Sequence, residues 1–387
     1  MSRPVYFDYN ATTPVDPAVL QAMLPYYEDR FGNASSVTHI YGWEAEAAVK
    51  EGRRRVAALL GAPPSQIVFT SGATESNNAI FFSLSQTLRS KGSHIITSSI
   101  EHKCVLNCCK FLQETGFRVT YLPVNAEGFV NPEDVEKSIC DDTILISIMM
   151  ANNEIGTLQP IAQIGKIARS RGVLFHTDAA QVVGKIRFNL NEMPIDFLSL
   201  SAHKMYGPKG VGALFVKPIH LMQKCPFIQG GGQEKGMRSG TLNVPGIVGF
   251  GKACEIAADS LDEEVIRQFK MKKLLYQMLS AEIPELLLNG SLENSLPNTL
   301  NVSIPLTDSV KLLSHLKNQF SLSTGSACTS TDQEYSHVLK AIGRNEREGK
   351  SSLRISFGKF TCANDIECLA TEIIRYTHAN NTHLSIK

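Results

Sequence analysis

A chain of 387 residues, 43% of them hydrophobic, carries enough apolar mass for one large domain plus a smaller one. Its 38 lysines and arginines balance 37 aspartates and glutamates to a formal charge of +1, which supplies no net field to hold nucleic acid or an anionic membrane. Small molecules and proteins are the partners to expect.

The N-terminal stretch MSRPVYFDYNATTPVD contains no apolar leader segment, and no uninterrupted apolar run reaches the roughly 18 residues needed to span a bilayer. The expected location is the cytoplasm. Nine cysteines without regular spacing argue for reduced thiols rather than a disulfide framework. From about residue 66, QIVFT, HIITSS, RVTYLPV, TILISIMM, VLFHTD, DFLSLS and GALFV are short β-branched runs, separated mostly by helix-length amphipathic segments. That rhythm predicts an α/β fold with a mostly parallel sheet covered by helices. Beyond about residue 250 a long helical stretch leads into NTLNVSI, SVKLLSHLKNQ and SSLRISFGKF, a smaller α+β unit. The expected division is therefore 14–250 for the large domain, with 1–13 and 251–387 forming the small one. Two polar loops, IQGGGQEKGMRSGT and STGSACTSTDQ, are candidates for mobile functional segments.

In an open parallel sheet, ligands bind beyond the carboxyl ends of the strands, so the residues just after each apolar run matter most. In IVFTSGATESNNAI a strand, a Gly-containing turn and a helix start point backbone N–H groups and the hydroxyls of Ser71 and Thr74 at one spot, which favours a phosphate. An ordinary capped helix would use the same residues. No GxxxxGK[ST] occurs, and no GxGxxG follows a strand and opens a helix, so neither common nucleotide motif is present. Asp178 closes the run GVLFHTD, where a carboxylate needs a cation, strong hydrogen bonds or a role as helix cap. Lys204 closes DFLSLSAHK; an amine desolvated there becomes a nucleophile for carbonyls, although a lysine reaching out to water satisfies the same pattern. Taken together, a Schiff-base lysine, an acidic partner for a ring nitrogen and an anion cup match what pyridoxal 5′-phosphate requires.

Near His102, EHKCVLNCC places Cys104, Cys108 and Cys109 within two helical turns, but the spacing does not match the paired ligands of a structural zinc site. Core packing is the reading for these three thiols, and no metal is expected. Cys328 is different, because STGSACTST offers little apolar surface to bury it and enough Gly, Ser and Thr to move.

These residues carry a resemblance. YFDYNATTP, FTSGATESNN, EHK, NNEIG, HTDAAQ, SAHKMYGPKG, GGGQEKGMRSGT and GSACTS, running from Tyr6 to about Lys359, resemble the NifS/IscS-type cysteine desulfurases. The resemblance implies a type I pyridoxal-phosphate fold, a homodimer, and conversion of L-cysteine to L-alanine with sulfur held as a persulfide for acceptor proteins such as an iron–sulfur scaffold. Carried over by motif, Lys204 would bond the cofactor, Asp178 pair its pyridinium, Gln181 donate to the phenolic oxygen, and His102 stack on the ring and serve as a second acid/base. Thr74, Ser201 and His203 resemble the phosphate ligands, with Thr241 supplied by a neighbouring subunit. Asn153 would lie near the phenolic oxygen and substrate, Arg354 would grip the substrate carboxylate as a planar fork, and Cys328 would take the sulfur. A selenocysteine lyase or another fold-type I enzyme is the alternative, since the cofactor pocket does not select the leaving group.

Overall fold

A computed structural model describes residues 3–324 and 335–382, with side chains through residue 380, and Cys328 lies outside the described residues. A short strand β1 (Val5–Tyr6) and helices α1 (Pro17–Met23) and α2 (Ile40–Leu60) precede an alternating series: β2 (Ile67–Thr70), α3 (Ala73–Thr87), β3 (His94–Ser98), α4 (Lys103–Glu114), β4 (Arg118–Leu122), α5 (Pro132–Ser138), β5 (Thr143–Ser147), α6 (Ile161–Ser170) and β6 (Leu174–Asp178). Next come β7 (Phe197–Ser201), β8 (Gly212–Val216), α7 (Ile219–Lys224) and the long α8 (Val244–Glu282). The remainder holds β9 (Leu287–Leu288), β10 (Thr299–Ser303), α9 (Ser309–Leu316), β11 (Phe320–Ser321), α10 (His337–Ala341), α11 (Glu346–Lys350), β12 (Ser352–Ser356) and α12 (Ala363–Thr382).

The central sheet has seven strands in the order β2-β8-β7-β6-β5-β3-β4. Strands β4, β3, β5, β6 and β7 run parallel, and β8 alone is antiparallel to its neighbours β7 and β2. This is the expected mostly parallel α/β sheet. β8 reverses because the connection 202–211 is too short to carry the crossover helix that a parallel return requires. Strands such as β5 (TILIS) and β7 (FLSLS) are buried at every position, as expected for a sheet covered on both faces. A second sheet, β12-β10-β9, is antiparallel, and β1 pairs with β11.

Helix α8 passes residue 250 without a break. Its first turns, with Val244, Ile247, Phe250 and Cys254, pack into the core that covers the central sheet, whereas Met271, Leu275 and Leu279 pack into a separate core with β10, β12 and α12. Among the described residues no helix is long and apolar enough to cross a membrane.

Two glycines bring the start of α3 against the sheet. Gly72 has φ +153°, a conformation essentially closed to other residues. A Cβ on Gly212 would stand 2.6 Å from the Gly72 Cα and 2.5 Å from the Leu200 carbonyl oxygen, so β8 must be bare at that point. The segment containing QGGGQEKGMRSGT, which its composition marks as mobile, is tied down at two places. Buried Glu234 receives both arms of Arg53, at 2.7 and 2.5 Å, and the Phe69 N–H at 2.8 Å. Arg238 pairs with Glu75 on α3 at 2.8 Å. The composition registers backbone freedom but not these long-range ion pairs.

Glu234→Ala strands the Arg53 guanidinium and the Phe69 N–H without their partner. It should lower the unfolding free energy by about 3 kcal/mol in urea denaturation; a loss below about 1 kcal/mol would show that water replaces the carboxylate.

Candidate active site

The carboxyl ends of the parallel strands gather the candidate residues. Thr74 is exposed on the first turn of α3, His102 caps α4 after β3, Asn153 follows β5, Asp178 closes β6, Ser201 closes β7, and His203 and Lys204 form the next turn. Gln181 stands three residues beyond Asp178 and is buried.

Lys204 Nζ donates to the carbonyls of Asn10 and Ala11, at 2.6 and 2.8 Å. The Asn10 carbonyl also takes Gln181 Nε2 at 2.9 Å, and Asn10 Nδ2 donates to the Asn153 carbonyl at 3.1 Å. Three expected residues therefore meet at Asn10, to which its place in YNATTP had assigned no role.

Asp178 is buried and accepts from Asn77 Nδ2 at 2.7 Å and from the Ala180 N–H at 3.0 Å. It thus caps its own turn with one oxygen and holds Asn77 with the other. Asn77 Nδ2 also reaches Cys104 Sγ at 3.1 Å, and Cys104 Sγ lies 3.0 Å from His102 Nδ1. Cys109 is buried in the core, as expected, but Cys104 both packs there and supports the His102 ring. Because His102 Nδ1 accepts the Cys104 N–H at 3.2 Å, a neutral ring carries its proton on Nε2. Burial lowers the His102 pKa; the Asp178 charge opposes that shift and the positive charges of Lys204 and Lys103 add to it.

The turn leading into α3 has no side-chain cap, since its N-cap residue is Gly72. The buried Ser201 hydroxyl stands 3.5 Å from where a Gly72 Cβ would lie, so it faces the turn into α3 across β8. His203 Nδ1 bonds Thr12 Oγ1 at 3.1 Å. Burial, then the charges of Lys204, Lys209 and Lys185, push its pKa down to about 4. A ring surrounded by so many cations sits in a positive field suited to an anion. Thr241 is exposed, three residues beyond the Arg238–Glu75 pair.

Arg354 is buried beside Asn153, whose carbonyl takes Nη1 at 3.3 Å. Nη2 is paired with Asp8 at 2.6 Å, while the buried Nε has no partner. The fork is thus partly engaged, a pairing not anticipated from sequence. The Arg354 N–H bonds the Ser323 carbonyl at 2.8 Å, and Ser336 donates to Glu154, so both described ends of the segment containing Cys328 are anchored near these residues.

Three ionisable groups near the site, buried Glu101 and Glu154 and half-buried Lys185, were also unassigned. Lys185 Nζ donates to Gln181 Oε1 at 3.0 Å, and burial, with the charges of Lys204 and Arg354, lowers its pKa to about 7. Burial raises Glu154 to about 7 and Glu101 to about 8. Glu101 Oε1 accepts from Ser98 Oγ and the Met149 N–H, leaving Oε2 buried without a partner. Only the GK after HTDAAQ and the acids of IEHK and NNEIG stood near recognised motifs; nothing in their spacing signalled burial.

The family model for aminotransferase class-V matches residues 5–369 of this chain. A relative named "Cysteine desulfurase, mitosomal" from Encephalitozoon cuniculi (strain GB-M1) is 49% identical over 372 residues, covering 96% of this chain and 86% of the relative. The chain belongs to the class-V aminotransferase family, among its cysteine desulfurases. Solved members of this family share its fold. A NifS-like protein superposes with a TM-score of 0.87 at 40% identity, covering 96% of this chain and 99% of its own. A second structure, described as SspA in complex with cysteine, has a TM-score of 0.80 at 42% identity over 92% of this chain and all of its own, 100%.

The pH dependence of Glu101 has a defined sign. Its folded pKa of about 8 exceeds the ordinary 4.5, so from pH 4.5 upward the folded state binds the extra proton and stability falls until about pH 8. Glu101→Gln should flatten this part of the stability curve and be the more stable form at its alkaline end; unchanged pH dependence in denaturant titrations would remove Glu101 as the cause.

Proposed function

We propose that this chain is a pyridoxal-phosphate enzyme that transfers the sulfur of L-cysteine to Cys328 as a persulfide and releases L-alanine. The observation that carries the proposal is the joining of Lys204, Gln181 and Asn153 at Asn10, with Asp178 and His102 beside them. The residues fit the cofactor. Lys204 would hold its carbonyl carbon, Asp178 its ring nitrogen, His102 its face, and Gln181 and Asn153 its phenolic oxygen. The bare turn at Gly72 with Thr74, Ser201 and His203 would cradle the phosphate, and a second copy of the chain would add Thr241. This makes the active unit a homodimer.

When bound, the cofactor supplies an electron sink for charge that develops on the substrate α-carbon. Arg354 orients the substrate carboxylate, exchanging its Asp8 contact for the incoming group or using its unpartnered Nε. The Lys204 amine would take the α-proton, with His102 as the second acid/base. The Cys328 thiolate attacks the substrate sulfur: an S–S bond forms, the substrate C–S bond breaks, and its electron pair returns to the carbon skeleton, which takes up protons and leaves as alanine. The balance is one thiol and one L-cysteine giving one persulfide and one L-alanine.

The same reading divides the chain into a large unit, 14–250, and a small one, 1–13 with 251–387, supported by the two separate cores. Acceptor proteins such as an iron–sulfur scaffold would take the persulfide sulfur. Unpaired thiols at all eight described cysteines support a reducing compartment, here read as the cytoplasm. The mitosomal name of the Encephalitozoon relative favours an organelle as the second reading.

Borohydride treatment of the loaded protein and peptide mapping should label Lys204, and a label on Lys209 would overturn the assignment. Cys328→Ala should keep the cofactor and its spectral response to L-cysteine while sulfide release falls more than about a hundredfold. Near-normal release would place the nucleophile elsewhere.

Mixing inactive Lys204→Ala subunits with Thr241→Ala subunits should restore activity, because each hybrid dimer has one complete site. No recovery despite hybrid formation would mean that the phosphate cup is built within one chain.

A further inference from the structure

At the amino-terminal edge of the central sheet, opposite the candidate active site, three side chains with different metal-binding chemistry converge. His94 opens β3 and is fully buried. Its Nδ1 lies 3.2 Å from Cys140 Sγ, and the ligand atoms of His94, Cys140 and Asp142 all lie within 4.8 Å of one another. The loop is held in place by its backbone: the Cys140 N–H donates to Thr143 Oγ1 at 2.9 Å, and the His94 N–H donates to the Asp142 carbonyl at 3.0 Å. The other ring nitrogen, Nε2, bonds Thr120 Oγ1 at 2.8 Å. A hydroxyl accepting from Nε2–H orients the ring and leaves Nδ1 as the donor atom, the outer-shell arrangement common to histidine metal ligands.

We propose that His94, Cys140 and Asp142 form a second site that binds a thiophilic divalent ion of the zinc class, with water as fourth ligand. One imidazole, one thiolate and one carboxylate around an open position suit such an ion and do not suit magnesium or calcium, which take oxygen donors. Binding converts the Cys140 thiol to a thiolate; the metal–sulfur bond replaces the S–H bond, and the proton goes to solvent.

The guanidinium of Arg118 now occupies the cationic position, 3.2 Å from Cys140 Sγ and 2.7 Å from Asp142 Oδ1. Its side chain is 53% exposed and can turn outward to water as the ion enters. Arg118 is therefore a competitor of the metal and sets its affinity. Thr143 Oγ1, 2.8 Å from His94 Nδ1, must likewise yield that lone pair.

The test uses the cofactor-loaded dimer carrying Cys328→Ser, which removes a rival thiolate, titrated with cobalt(II) and then zinc(II). The expected result is one cobalt per subunit with intense tetrahedral d–d bands in the red, clear of the cofactor's absorption, displaced by zinc. Cys140→Ser and Asp142→Asn, both at partly exposed positions, should each weaken binding more than about tenfold, and Cys140→Ser should also change the band pattern by removing sulfur. Arg118→Gln should tighten binding. Cobalt bands unaffected by Cys140→Ser, the absence of a stoichiometric site, or weaker binding in Arg118→Gln would each overturn the proposal.

Discussion

The Asn10 carbonyl is the point on which the site's geometry depends. One oxygen accepts Lys204 Nζ at 2.6 Å and Gln181 Nε2 at 2.9 Å, using both of its lone pairs. The same residue reaches the other core: its N–H donates to Ser356 Oγ on β12, and Nδ2 donates to Thr299 Oγ1 on β10. A hydrogen bond to a charged group contributes about 1.5–3 kcal/mol, so this junction can set the position of the Lys204 amine while joining the ends of β6 and β7 to the small sheet. A change in how the two cores meet would be felt directly at the amine.

Around that junction burial acts in opposite directions on acids and bases. Glu101 and Glu154 are pushed toward the protonated form, while Lys185 and His203 are pushed toward the neutral one. Other ionisable groups stand in ion pairs, as Arg354 does with Asp8 and Arg53 with Glu234. An anionic ligand entering beside His203 would favour protonation of its ring.

The opposite edge of the same sheet follows a different rule. There the parallel strands begin, and the polar groups satisfy one another through His94, Thr120 and Thr143. Parallel strand order therefore produces two chemically distinct rims from one stack of backbones. The carboxyl rim receives the N-termini of the helices that follow β2 and β3, and phosphate-binding features collect on that side.

Much of this was legible in one dimension. Apolar runs with period or continuity suited to buried strands located β2 through β8, and the rule that ligands sit past strand ends then pointed to Thr74, Asp178 and Lys204 without any contact being known, while the roles of His102, Asn153, Ser201 and His203 came from the resemblance to the cysteine desulfurases. The identities of those residues already specified an amine, an acid and an anion cup. The sequence could not show which carbonyl would hold the amine, because Asn10 and Lys204 are 194 residues apart. Nor could it show that Glu101 and Glu154 are buried, that Arg354 would share its fork with Asp8, or that His94 and Cys140 would meet at the far rim. Local periodicity reports which face of an element is covered; the partner on that face, and hence the protonation state and orientation of a polar group, is decided only when distant segments pack together.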